Sequence, residues 1–196
     1  MEDMTPFDVV AFLFLLGMFI LGYVQGTARR ILGIIALIFS LLVAAALRDP
    51  LGSYLAGEWT NAPPAYSYMV AFGALFLAFG ITLSIAIQLT YKSTPLFTHY
   101  PVLDELLGGI LGVVEGVVLL VALLMVTDPY FLGSAGASAA IGEFQPIRTV
   151  HDFVTDSVIA GFVRQNVIAN VLAVVGFLFP RDVVETFSSA IRARLA

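Results

Sequence analysis

The chain has 196 residues, with nine Lys plus Arg, fourteen Asp plus Glu, two His and no Cys. Hydrophobic residues reach 60% before the 17 glycines are counted, against about 45–50% with glycine included in a soluble domain, and mean hydropathy is +0.98. These values exclude intrinsic disorder, a disulfide framework and a thiolate metal site. The net charge of -5 argues against nucleic acid as a partner. So short a chain cannot bury that much apolar surface in its own core, so the expected partner is the lipid bilayer.

A membrane helix needs about 20 mostly apolar residues. The first candidate is Phe7 to Val24, interrupted only by Asp8. Acidic Glu2 and Asp3, a long apolar run and the lack of a small-residue cleavage site favour a true span over a signal peptide. The second is Ile31 to Leu47, short, with Arg30 and Arg48 placed just outside to snorkel. Pro50, Pro63 and Pro64 then argue against a long helix in the connection Arg48 to Tyr68. The third span is Met69 to Leu89, with Thr82, Ser84 and Gln88 as its polar residues. Pro95 and Pro101 bracket Leu96 and Phe97 in what reads as a short interfacial segment. The fourth span is Leu106 to Val126, with Glu115 inside it. Tyr54, Trp59, Tyr66, Tyr68, Tyr91 and Tyr100 fit interface belts.

Beyond the fourth span, Gly133 to Gly142 reads as a hinge, and Ile147 to Val163 as an amphipathic helix. Val167 to Phe179 is too short to cross and reads as re-entrant or interfacial. A last amphipathic piece would turn Val183, Val184, Phe187, Ile191 and Leu195 inward and Arg192 and Arg194 outward. A fifth crossing would instead make Arg181, Arg192 and Arg194 cytoplasmic, but length favours four. The expected fold is all-α and polytopic. A four-helix transmembrane region occupies residues 1–130, a Gly/Ala/Ser-rich linker 131–146, and an amphipathic, re-entrant tail 147–196. Arg29 and Arg30 in loop one and Lys92 in loop three outweigh Arg48 in loop two. Loops one and three are therefore expected in the cytoplasm and both termini outside.

Asp104, Gly108, Gly112, Glu115 and Gly116 share about a third of the fourth helix's circumference. Glycine every fourth residue lets another helix approach closely, and Gly22 and Gly26 repeat the pattern at the end of span one. Asp104 suits a helix start, where a carboxylate meets free N–H groups and the positive dipole end. Glu115 is a costly intramembrane charge. It reads as a structural partner for Arg29 or Arg30, as a protonated carboxyl hydrogen-bonded across helices, or as a proton- or ion-sensing or pore-lining carboxylate. His99 and His151 have no ligand-spaced neighbours, so no metal or other cofactor is expected. His151, Asp152 and Ser157 are explained by amphipathic spacing, not by a catalytic triad, and no phosphate-cradling loop is present.

With Gly22-x-x-x-Gly26-x-x-Arg29 after span one and Asp104-x-x-x-Gly108-x-x-x-Gly112-x-x-x-Gly116 opening span four, the chain resembles the colicin V production protein (CvpA) family. The likeness covers roughly residues 7 to 180. In that family a basic residue often stands at Gln25, an acidic one at Arg30 and a basic one at Glu115. The swaps read as an inverted charge pair between loop one and span four. The resemblance implies a bacterial inner-membrane protein tied to colicin V production and export and to envelope homeostasis. Three activities compete. One is a non-enzymatic scaffold or assembly factor working with copies of itself or another membrane protein. The second is a homo-oligomeric channel with Glu115 near the path. The third is an intramembrane enzyme, for which no motif speaks.

Overall fold

The computed structural model describes residues 5–59, 64–91, 101–131 and 154–188, and among them every regular element is helical. The expected linker, His99, His151, Asp152, the Pro95 segment, Ile191, Arg192, Arg194 and Leu195 lie outside the described residues.

Helix α1 spans Pro6–Gln25. Thr5 caps it, accepting from the Asp8 amide at 3.3 Å while its own amide donates to Asp8 Oδ2 at 2.9 Å. Gly26 ends it with φ +77°, a left-handed conformation that a side chain would strain. Helix α2 runs Thr27–Glu58, α3 Pro64–Thr90 and α4 Pro101–Phe131. The outer faces of α1 and α3 expose Val10, Phe12, Leu13, Ile20, Leu77, Ile81 and Ile85, as lipid contact requires.

Two expectations fail in α2. The helix continues through Pro50 to Glu58, and Arg48 lies inside it, 7% exposed. A mid-helix proline costs about 3 kcal/mol. Packing outweighs that loss, because Gly52 is buried flat against the Tyr68 ring and Ser53 Oγ donates to the Pro50 carbonyl at 3.0 Å. Pro64 opens α3, where a missing N–H is harmless.

The helices pack in the succession α1 on α4, α4 on α2 and α2 on α3. Gly22 faces Gly108, and Phe7 shares a small cavity wall with Leu124, so α1 and α4 are antiparallel. The array thus has one end marked by Asp8, Arg48 and Asp128 and an opposite end marked by Gln25, Arg30 and Asp104. From Arg30 to Arg48 the rise is about 27 Å, close to the roughly 30 Å hydrocarbon core.

The tail departs from expectation twice. The amphipathic helix breaks at Ser157, which caps a new one. That helix, α5, is continuous from Val158 to Leu178, with a π-helical stretch Val163–Ile168 and a closing 3-10 turn Gly176–Leu178. At 21 residues it is one of five helices long and apolar enough to cross a membrane, so length alone does not exclude a fifth crossing. Its contacts do decide its path. It touches α1 near its start, α4 through its π-helical stretch and α2 near its end. The short helix α6, Arg181–Thr186, follows and packs on α4. One apolar core joins Leu41, Phe72, Phe76, Leu124 and Met125 of the array to Ile168, Leu172, Val183 and Phe187 of the tail.

Candidate functional site

Three carboxylates fasten the tail to the Asp8 end of the array. Asp8, 1% exposed, accepts from Ser157 Oγ at 2.6 Å and from the Ile159 amide at 2.9 Å through Oδ1. Its Oδ2 accepts from the Thr5 hydroxyl at 2.8 Å. One carboxylate therefore caps two helix starts. Asp128, fully buried, holds Arg164 in a fork of 2.7 and 3.0 Å. Asp182, at the start of α6, takes both Arg48 Nη atoms, with Nη1 to Oδ1 at 2.6 Å. The Arg48 guanidinium also lies 5.5 Å from the Tyr68 ring centre and 5.9 Å from that of Phe72. Residues on either side of α5 are thus pinned to one end of the array. The helix lies across that end.

Burial opposes ionisation of the Asp182 carboxyl, but the Arg48 hydrogen bonds and charge outweigh it and hold its pKa below the usual aspartate value. A depressed folded pKa means the tie stabilises above the unfolded pKa of about 3.9 and is lost as pH falls through the folded value. The tie is complete at neutral pH. Behind it is a cavity of about 920 Å³ among α2, α3, α4 and α6, lined by Arg48, Tyr68, Phe72, Tyr130, Asp182 and Glu185 among others.

At the opposite end Arg30, 5% exposed, is ion-paired with Glu115 of α4. Arg29 and Arg30, expected in loop one, lie instead in the first turn of α2, so the pair joins α2 to α4. Arg29 is half-buried beside it. Asp104 lies buried in the first turn of α4, where its backbone oxygen accepts from Thr27 Oγ at 2.8 Å. Its Oδ2 lies 2.6 Å from where a Gly26 Cβ would stand. The glycine faces meet each other. A Cβ on Gly22 would strike the Gly108 carbonyl, one on Gly108 the Gly22 carbonyl, and one on Gly112 the Met18 carbonyl. Gly116 receives Leu15 and Met18 side chains. These faces are consumed within the chain, in the α1–α4 contact.

Among the described residues there is no group of three or more potential metal ligands. Ser157 is spent on capping and on Asp8. Arg30–Glu115, Arg48–Asp182 and Arg164–Asp128 neutralise one another in pairs, whereas Asp8 is held by neutral donors from Ser157, Ile159 and Thr5.

The profile of the family described as Colicin V production protein matches residues 7–168. The chain belongs to this family. Among curated proteins and solved structures none matches it. The family is not known as an enzyme family, and with five long apolar helices this member is a multi-pass membrane protein. Sequence reasoning passed over Asp8, Asp128, Arg164 and Asp182 and misplaced Arg48. Asp8 is a charge set in an apolar run, the usual mark of a buried partner, and Thr5-x-x-Asp8 has capping-box spacing. The tertiary partners of all these charges lie 36 to 151 residues away and carry no local signal.

Proposed function

We propose that this protein is a non-enzymatic scaffold or assembly/export factor of the bacterial inner membrane, linked to colicin V production and envelope homeostasis. One observation carries the reading: Asp8 with its Ser157 and Ile159 donors and the Arg164–Asp128 and Arg48–Asp182 ion pairs strap a tail across one end of a helix array. Such groups position surfaces; they are not poised for proton transfer. The family match supports the link to colicin V production. Arg29 and Arg30 would put their end in the cytoplasm, so the strapped end and both termini would face outside. With the glycine faces occupied internally, the strapped end is the surface left to meet a second copy or another membrane protein.

The competing channel would need Glu115 in its path, and Glu115 is neutralised by Arg30. Proteoliposomes holding the purified protein are expected to pass cations no faster than empty ones. Flux that falls on Glu115→Gln, from a closed ring of four or more copies by native mass, would overturn the scaffold.

A further inference from the structure

At the Gln25 end a polar groove of about 250 Å³ opens among the helices, with Gln25, Arg29, Arg30, Ser84, Gln88 and Glu115 in its lining. We infer that this groove binds the phosphate-bearing head group of an anionic phospholipid, with Arg29 as its principal contact. Depth comes first. Gln25 is the last residue of α1, Arg29 the third of α2 and Gln88 the third from the end of α3. These positions put the groove where the helices leave the hydrocarbon, at the level of head groups.

Charge comes second. Arg30 and Glu115 cancel, which leaves the Arg29 guanidinium in excess. Among the described residues no carboxylate lies within ion-pair distance of it. Polar chemistry is the third support. Ser84 and Gln88 are exposed on a helix whose neighbouring exposed residues are Ile81, Thr82, Ile85, Ala86, Leu89 and Thr90. At head-group depth these side chains are placed to meet a polar ligand. Their only mutual bond is a long 3.5 Å contact. Arg30 lines the same groove, 5% exposed, and its Nε has no hydrogen-bond partner. Amide, hydroxyl and guanidinium donors around one positive charge suit phosphate oxygens, and basic pockets between membrane helices hold anionic head groups. The inference goes beyond the scaffold reading and does not depend on it.

Native mass spectrometry of the protein from vesicles of equal phosphatidylglycerol and phosphatidylcholine would test this. Wild type is expected to retain phosphatidylglycerol over phosphatidylcholine by about fivefold, the worth of one basic residue at an anionic surface. Arg29→Gln should abolish the preference, Arg29→Lys should keep part of it, and Arg181→Gln at the other end should leave it intact. Equal retention of the two lipids, or a preference that survives Arg29→Gln, would overturn the inference. So would displacement of the lipid by millimolar inorganic phosphate, which would mark a site for a soluble anion. Arg29 makes no ion pair among the described residues, so its variants should fold, and a thermal melt like that of wild type checks this.

Discussion

Gly112→Ala is expected to destabilise the protein by about 3 kcal/mol, the upper part of the range for overpacking. The added Cβ would collide with the Met18 carbonyl and lie 3.2 Å from Gly22 Cα, so it meets backbone that no rotamer change can move. Helices α1 and α4 would have to separate along their whole contact, dragging Gly22 off Gly108. Gly17→Ala supplies the control. It lies on α1, the helix that packs against Gly112, yet a Cβ there meets nothing within 4 Å, and alanine should add about 0.5–1 kcal/mol of helix stability. Thermal unfolding in detergent, followed by circular dichroism, checks both. Equal melting of Gly112→Ala and wild type would mean that α1 and α4 do not approach as closely as described.

Asp8→Ala should loosen the start of the tail, at a cost of about 3 kcal/mol. The change strands the buried Ser157 Oγ and removes the acceptor of the part-buried Ile159 amide and Thr5 donors, and each unmet buried donor costs about 1–3 kcal/mol. Partial relaxation keeps the total below their sum. The damage should be local, because the Arg164–Asp128 and Arg48–Asp182 pairs remain. Hydrogen exchange is expected to rise in α5 near Val158–Phe162 and to stay unchanged in α2. Exchange that rises evenly through the chain, or not at all, would contradict the anchoring role.

What was legible in the sequence follows from which forces act locally. Hydropathy places the four long helices, since an apolar run must meet lipid wherever it packs. The Gly22 and Gly112 faces are readable as places of close approach. Their pairing with each other is not, because glycine spacing carries no partner identity. Pro50 misleads for a physical reason. Its local cost is real, but Gly52 against Tyr68 is a contact between α2 and α3 that local propensity does not see. The tail was hardest. Val167 to Phe179 looked too short to span because Arg164 and Asn166 interrupt the run, yet Asp128 neutralises Arg164 and the helix continues back to Val158. The resulting 21-residue helix is long and apolar enough to cross, while its two flanks are tied to the same end of the array.

That strap is the central claim, and a chain without native cysteine allows a direct test of it. Single cysteines would be placed at Asp156 before α5, at Glu185 after it and at Thr90 at the other end, all exposed positions. They would be probed with a membrane-impermeant thiol reagent in sealed vesicles. The account predicts that Asp156→Cys and Glu185→Cys react from one face and Thr90→Cys from the other. Reaction of Asp156→Cys and Glu185→Cys from opposite faces would make α5 a fifth crossing and contradict it.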